Sequence, residues 1–272
     1  MNYDPIKDRF GELAAKAPAA QRALYAGLQA VFLRNWYVRR AIRELHASWP
    51  KDKPLRVLDA GTGFGQHSYF IAKTFPQAEI LAVDVKQDYL DQARRFFDQT
   101  PYKDRIRFEW ADLTQFERDE QFNFILSVDV MEHIEEDVAV FQNFAKVLAP
   151  GGHVVINTPS DQGGSDVDDE SDESFIGEHV RDGYAPAELG SKLQSAGLTP
   201  VRHHYSYGSA GSAAWRMLVK WPMKALSKTF AASVLLPVYY LPVFPAGMAL
   251  NWLDVRQENE RGTGLLMVAR KA

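Results

Sequence analysis

The sequence VLDAGTGFGQHS, residues 57–68, carries the clearest structural signal in the chain. A strand-like apolar run leads into Gly61, Gly63 and Gly65, and a helix-like segment follows the glycines. Glycines let the backbone turn tightly and leave room for a ligand against bare peptide. The start of a helix then presents free N–H groups to that ligand. A tight turn without a ligand produces the same pattern, so the loop indicates a nucleotide-type site only together with further motifs.

Short apolar runs alternate with amphipathic segments on both sides of this loop. Helical spacing of apolar residues extends from about residue 13 to residue 49. Further helices are predicted at 65–75, 86–99, 135–148 and 186–197. Strands are predicted at 55–60, 79–85, 105–112, 122–130, 152–159, 198–207 and 264–271. This alternation predicts crossover units and a parallel sheet that is covered by helices on both faces.

The composition is that of a globular protein with a full core. The chain has 272 residues, of which 46% are hydrophobic and 24% charged, and its net charge of −4 predicts no surface for nucleic acid. It has no cysteine, which excludes disulfides, thiolate metal sites and a cysteine nucleophile. The first residues mix charges without an apolar run, which predicts no secretory signal and a cytoplasmic location.

Acidic residues at the ends of the predicted strands narrow the choice of ligand. Asp84 ends the second strand, where a carboxylate can accept both hydroxyls of a ribose. Asp112 ends the third strand, near the expected position of an adenine. The dinucleotide fingerprint requires glycine where this chain has Gln66. Asp59, just before the loop, would repel a pyrophosphate but suit a ligand with an ammonium and a sulfonium. The pattern therefore favours S-adenosylmethionine over NAD.

With these motifs the chain resembles the class I S-adenosylmethionine-dependent methyltransferases, and within them the type-11 group that contains the ubiquinone-biosynthesis methyltransferases. The similarity covers roughly residues 56–197 and the last strand, through VLDAGTGFG, AVD, WADL, FNFILSVDVMEHI and LAPGG in the family's order. The resemblance implies an α/β, doubly wound, Rossmann-like sheet of seven strands whose last strand is antiparallel.

The resemblance also implies which residues hold the cofactor. Asp59 and the three glycines would hold the methionine part, and Asp84 would bind the ribose. Asp112 and Leu113 would bind the adenine, and Val85 and Asp129 belong to the same cofactor site. The corresponding domains are an N-terminal helical cap at 1–50, a cofactor-binding domain at 51–207 plus 263–272, and an insertion at 208–262.

The insertion contains 25 consecutive residues without a charge, from Thr229 to Leu253. A single membrane crossing would separate the last two strands, and Pro237, Pro242 and Pro245 should interrupt a straight helix. Three interpretations of the apolar stretch remain: a lid over the acceptor, a dimer contact or a re-entrant interfacial anchor. Basic residues precede the stretch at 216, 220, 224 and 228, as suits an anionic membrane surface. A solvated helix face above an ordinary core cluster gives the same spacing.

Candidate catalytic residues follow the fourth predicted strand and a Ser- and Asp-rich segment, 160–174, that is expected to be a solvated loop. Glu132 and His133 could supply a carboxylate and an imidazole, and His179 and Arg181 could add a base and an anion clamp. An ion pair of Arg181 with Asp182 or the acidic loop is the alternative. Asp129, Glu132 and His133 resemble a metal-binding element of the ubiquinone O-methyltransferases, but the shorter Asp129 makes no metal the expectation.

The resulting hypothesis is an S-adenosylmethionine-dependent methyltransferase that acts on a small hydrophobic or lipid-linked acceptor. Peripheral contact with the inner membrane surface is part of it. A nucleotide-dependent oxidoreductase and a non-catalytic cofactor-binding module at a membrane are the rival interpretations. The sequence does not identify the acceptor, the methylated atom or the oligomeric state.

Overall fold

A computed structural model describes residues 18–47, 49, 54–163, 179–229 and 234–272. The acidic loop therefore lies outside the described residues from residue 164 onward, and so does the predicted helical segment before residue 18.

Seven strands form one sheet, in the order β3-β2-β1-β4-β5-β7-β6. All neighbours pair in parallel except β7, which is antiparallel to both β5 and β6, as the family resemblance implies. The strands are β1 Leu55–Ala60, β2 Ala78–Asp84, β3 Ile106–Trp110, β4 Phe122–Val128, β5 Leu148–Pro159, β6 Leu198–Ser206 and β7 Gly264–Lys271.

Helices cover both faces of this sheet. They are α1 Pro18–Val31, α2 Leu33–His46, α3 Gln66–Thr74, α4 Gln87–Phe97, α5 Asp137–Val147, α6 Pro186–Ser195, α7 Ser209–Trp215, α8 Trp221–Lys228 and α9 Leu236–Arg256. A π-helical turn, Arg216–Lys220, joins α7 to α8. The predicted helical region before the sheet is two helices, because Phe32 has extended backbone angles.

Apolar side chains from alternate strand positions fill two cores, one on each face of the sheet. Val57, Ile80 and Phe124 belong to one core, and their sequence neighbours Leu58 and Leu81 belong to the other. Strands that are buried on both faces explain why the sequence shows continuous apolar runs there instead of a polar alternation.

The expected turn LAPGG is part of β5. Leu148 pairs with Phe122, and the next pair is Phe124 with His153, so the register shifts across a bulge. Gly151 has a φ of 74°, which the bulged backbone requires. The strand therefore begins four residues earlier than predicted.

The insertion leaves and rejoins the sheet at one point, because Ser206 at the end of β6 pairs with Gly264 at the start of β7. This confirms that both ends of the apolar stretch return to the same place. Among the described helices, none is both long and apolar enough to cross a bilayer. The expectation that prolines break the helix is wrong, since α9 continues through Pro242 and Pro245.

Candidate active site

The candidate site lies at the carboxyl ends of β1, β2 and β4. The chain runs from β1 outward to β2 and β3 and then crosses to β4 on the other side of β1. Open parallel sheets bind ligands at such a switch point. This strand order brings the glycine loop, Asp84 and the residues after β4 to one edge of the sheet.

The three glycines of the loop all have backbone angles that favour glycine. The φ values are 80° at Gly61, 54° at Gly63 and 79° at Gly65. An added Cβ at Gly61 would collide with Cγ2 of Val130, whereas one at Gly63 would have no atom of the described residues within 4 Å apart from its chain neighbours. The first glycine is needed for packing against the turn after β4, and the second leaves open space beside bare backbone.

Asp84 ends β2 directly opposite this loop. Its Oδ2 accepts a hydrogen bond from the Gly63 N–H at 2.8 Å, and its Oδ1 accepts one from the Lys86 N–H at 2.9 Å. Two backbone donors therefore fix the carboxylate at the sheet edge, where its remaining lone pairs can accept hydroxyl groups.

Asp59 lies beneath the loop and is buried. Its Oδ2 accepts hydrogen bonds from the Thr62 hydroxyl at 2.8 Å and the Ser68 hydroxyl at 2.7 Å. Burial raises the pKa of Asp59 to about 6, although the hydrogen bonds from Ser68 and Thr62 favour its charged form. These contacts shape the loop from below, and a contact with a ligand ammonium stays a prediction.

The residues predicted to hold an adenine form the neighbouring part of the edge. Asp112 caps a short 3-10 turn, where its Oδ1 accepts hydrogen bonds from the N–H and the hydroxyl of Thr114. Leu113 is buried beside it, and Val85 is exposed. Trp110, which the sequence did not single out, donates its indole N–H to the Val85 carbonyl at 2.9 Å. Its exposed ring adds an apolar wall to this side.

The N-terminal helices contact the loop from above. The Tyr25 hydroxyl donates to the Phe64 carbonyl, and the Gln29 side chain donates to the Gln66 carbonyl at 3.2 Å. Neither contact could be read from spacing, because each joins positions more than thirty residues apart.

Asp129 follows β4 in a left-handed conformation, with a φ of 54°. Arg34 of α2 forms an ion pair with its Oδ2 at 2.6 Å, and the Asn157 side chain donates to its Oδ1 at 3.2 Å. This carboxylate is therefore held between the N-terminal helices and β5. Arg34 and Asn157 are site residues that the sequence analysis missed.

Three of the predicted catalytic residues come together. Glu132, His133 and His179 each offer a donor atom, and these atoms lie within 4.8 Å of one another. The two imidazole rings are 4.7 Å apart, and the Val180 N–H donates to the Glu132 carbonyl at 3.0 Å. This cluster, Glu132–His133–His179, differs from the candidate set of the sequence analysis, since it contains His179 in place of Asp129, whose carboxylate pairs with Arg34. One carboxylate and two imidazoles form a donor set that divalent transition metals accept.

Glu132 is buried within this cluster and accepts a hydrogen bond from the Thr158 hydroxyl at 3.1 Å. Burial and the nearby Asp129 carboxylate raise the pKa of Glu132 to about 8, against an ordinary value of 4.5. A carboxyl whose pKa is raised in this way holds its proton more readily, so Glu132 is better suited to donate a hydrogen bond than to act as a base at neutral pH.

The raised pKa predicts a specific pH dependence of stability. The folded protein keeps the Glu132 proton between pH 4.5 and about 8, whereas the unfolded chain releases it. Stabilisation is complete below pH 4.5 and is lost as the pH rises toward 8, by up to about 1.4 kcal/mol per pH unit. We expect the Glu132→Gln variant to lose this slope in melting curves, while Glu135→Gln, at an exposed neighbour, keeps it. Parallel curves for Glu132→Gln and wild type would contradict the assignment. Asp59 titrates with the same sign in all three proteins and cancels.

The Arg181 side chain is engaged in contacts with neighbouring parts of the protein. Its guanidinium pairs with Asp137 and donates to the Tyr184 hydroxyl and the carbonyls of Ile134 and Glu135. Among the described residues its ion-pair partner is Asp137 and not Asp182, which the sequence analysis gave as an alternative together with the acidic loop. With these donors engaged, Arg181 holds the His179 segment against α5, which corrects the prediction of an anion clamp.

Comparison with known proteins gives a match to one family model, described as "Methyltransferase domain", over residues 51–196. Phosphoethanolamine N-methyltransferase 3 of Arabidopsis thaliana is 33% identical over 102 residues, which is 37% of this chain and 20% of that protein. The tRNA1(Val) (adenine(37)-N6)-methyltransferase of Vibrio campbellii is 34% identical over 71 residues, which is 26% of this chain and 30% of that protein. The chain thus spans a third or less of these curated relatives.

A solved structure has the same fold. Phosphoethanolamine N-methyltransferase 2 of Haemonchus contortus, in complex with S-adenosyl-L-methionine, superposes with a TM-score of 0.58 and 17% identity. The superposition covers 86% of this chain and 52% of that one. At this identity the likeness concerns the fold alone.

Proposed function

Because the chain belongs to the methyltransferase-domain family, we propose that it transfers a methyl group from S-adenosylmethionine to a small, hydrophobic or lipid-linked acceptor. The observation that carries the proposal is the open backbone at Gly63 facing the anchored carboxylate of Asp84. A bare peptide opposite a fixed carboxylate fits a nucleoside whose ribose hydroxyls both donate hydrogen bonds.

In the proposed pose, the cofactor lies along the carboxyl edge of the sheet, from the glycine loop after β1 to the residues after β3. The ribose hydroxyls bind Asp84, and the methionine part lies along the backbone from Gly61 to Gly65. The adenine lies beside Val85 and Leu113, with Asp112 at its rim. The apolar Trp110 wall and the buried Leu113 support this side, since an adenine ring packs favourably on apolar surface.

Methyl transfer from S-adenosylmethionine needs little beyond alignment of the acceptor atom with the methyl group. An acceptor lone pair attacks the methyl carbon, the carbon–sulfur bond breaks, and its electron pair returns to sulfur to give S-adenosylhomocysteine. Holding the two reactants in line and excluding water supplies most of the acceleration. If the acceptor atom carries a proton, that proton needs a base.

His133 is the proposed base, with His179 beside it and Glu132 behind it. An imidazole titrates near neutral pH, which suits proton transfer. The protonated Glu132 orients the cluster by hydrogen bonding, and the Val180 N–H bond to the Glu132 carbonyl fixes the His179 segment. Arg181, Asp137 and Tyr184 position that segment.

Replacing His133 with asparagine should lower the turnover of methyl transfer about 10²- to 10⁴-fold, because the base is removed. Affinity for S-adenosylhomocysteine should stay unchanged, since His133 does not belong to the proposed cofactor contacts. Turnover is measured as label transfer from a labelled methyl donor to a membrane-lipid extract. Affinity for S-adenosylhomocysteine is measured by isothermal titration. His203→Asn, at an exposed histidine of β6, is the matched control. Equal label transfer by wild type and His133→Asn would refute the assignment.

The proposed chemical class of the acceptor is inferred from the insertion. It starts and ends at the carboxyl edge of β6, which is the edge that carries the glycine loop, and it is apolar over most of its length. We propose that the N-terminal cap at 1–50 and the insertion at 208–262 border the acceptor pocket of the domain at 51–207 plus 263–272. Fractionating an extract after incubation with the labelled donor tests this, and label confined to water-soluble acceptors would overturn the hydrophobic class.

A further inference from the structure

Helix α9 has an unusual outer surface. Between residues 234 and 253, every residue that is exposed is apolar. Val238 is 66% exposed and Leu241 75% exposed, and no polar side chain interrupts the face on which they lie. The exposed set is Val234, Leu235, Pro237, Val238, Leu241, Pro242, Phe244, Pro245, Ala246, Ala249, Trp252 and Leu253. A helix that is apolar all round is normally covered by protein or lipid.

The opposite side of α9 is fixed to the rest of the fold. Gly247 lets the helix approach Leu218 closely, since a Cβ there would lie 2.6 Å from Cγ of that leucine. The buried Asp254 accepts hydrogen bonds from the Tyr37 hydroxyl at 2.9 Å and the Gly211 N–H at 2.8 Å. The Tyr240 hydroxyl donates to the Leu218 carbonyl at 2.7 Å. The inner side is thus already occupied, and the apolar outer face is exposed.

The charged residues that directly precede α9 in the sequence have one sign. From Leu189 to Leu253 the sequence contains no aspartate or glutamate. The basic residues of the insertion in this range are Arg216, Lys220, Lys224 and Lys228. Lys224 is exposed on α8 beside the exposed Trp221 and Met223. Apolar and aromatic side chains bordered by lysines are the pattern of helices that lie in the headgroup region of anionic bilayers.

We propose that the outer face of α9, together with the exposed side of α8, docks the protein onto an anionic lipid bilayer. The helix lies in the plane of the interface, with its apolar side chains among the acyl chains and the lysines at the phosphate level. Its length of 21 residues corresponds to about 30 Å, enough for a broad contact.

Charge complementarity favours a bilayer over a second copy of the chain. A two-fold interface presents the same patch on both subunits. The exposed Lys224 of α8 would then face its own copy with no acidic residue of the segment between them, which is unfavourable. An anionic lipid surface neutralises each of them.

This inference deepens the proposed function, because it presents the candidate site to acceptors that reside in a membrane, but its test needs neither cofactor nor acceptor. We expect the protein to float with phosphatidylcholine vesicles that contain phosphatidylglycerol, and less with phosphatidylcholine alone. Leu241→Glu should lower the partition coefficient about tenfold or more, because it places a charge among acyl chains. Lys224→Glu should lower it on the anionic vesicles.

Val201→Glu is the matched control, since it puts the same carboxylate at an exposed apolar position of β6. Melting temperatures of all variants check that each protein is folded. Failure of the wild type to float, or equal flotation of Leu241→Glu and Val201→Glu, would overturn the proposal. A dimer in analytical ultracentrifugation that Leu241→Glu dissociates, without vesicle binding, would assign the face to a second copy instead. Loss of cofactor binding would leave flotation unchanged, so the two proposals fail separately.

Discussion

Replacing Asp84 with asparagine is expected to weaken the binding of S-adenosylhomocysteine at least about a hundredfold. The carboxylate accepts from the Gly63 and Lys86 N–H groups and, in the proposed pose, from both ribose hydroxyls. A hydrogen bond to a charged group contributes about 1.5–3 kcal/mol, so the loss of two reaches this size. The amide also turns an N–H₂ group toward one of the backbone donors, which loosens the loop.

Isothermal titration measures this effect, and Asp88→Asn provides the control. Asp88 lies four residues further, exposed in the first turn of α4, so its replacement changes the net charge equally without touching the loop. Wild type and Asp88→Asn should bind with the same affinity. If Asp84→Asn bound equally well, the carboxylate would not be the ribose ligand.

Alanine at Gly61 and alanine at Gly63 should have opposite consequences. At Gly61 the left-handed backbone costs about 1–2 kcal/mol and the collision with Val130 about 1–3 kcal/mol more. This should lower the melting temperature by several degrees. At Gly63 the left-handed backbone carries the same cost, but no described atom beyond the adjacent residues lies within 4 Å of the new methyl group, so the fold should lose less stability than at Gly61. The methyl group would instead occupy ligand space and abolish detectable cofactor binding.

Thermal denaturation and titration of both variants distinguish packing from binding. Val130→Ala in the Gly61→Ala background should restore part of the lost stability, because it removes the atoms nearest the new Cβ. A Gly63→Ala protein that bound S-adenosylhomocysteine like wild type would show that the open space is not the binding surface. No rescue by Val130→Ala would show that backbone strain alone determines the cost at Gly61.

The fold could be predicted where the signal is local. Buried parallel strands give continuous apolar runs, and their alternation with helices specifies the sheet. The errors arose where tertiary contacts outweigh local preference. Helix α9 continues through Pro242 and Pro245 because its inner side is held by contacts such as those of Tyr240 and Asp254. Helical stability in proteins comes mainly from such packing.

The site residues also fall into two groups, those that a local motif identifies and those that depend on long-range contacts. Asp84 and Gly63 were identified from a motif, and the structure joins them by a hydrogen bond of 2.8 Å. Arg34 was missed because its partner Asp129 is far away in sequence, and nothing in α2 marks one arginine among several. Arg181 was identified, but its partner was not, because Asp137 precedes it by 44 positions. Long-range ion pairs leave no spacing signal in a single sequence.

A crystal structure with S-adenosylhomocysteine tests the central claim most directly. We expect density for the ribose hydroxyls within hydrogen-bonding distance of the Asp84 carboxylate, and for the homocysteine part along the backbone of Gly61 to Gly65. Density for the nucleoside elsewhere, with the space at Gly63 filled by protein side chains, would contradict it.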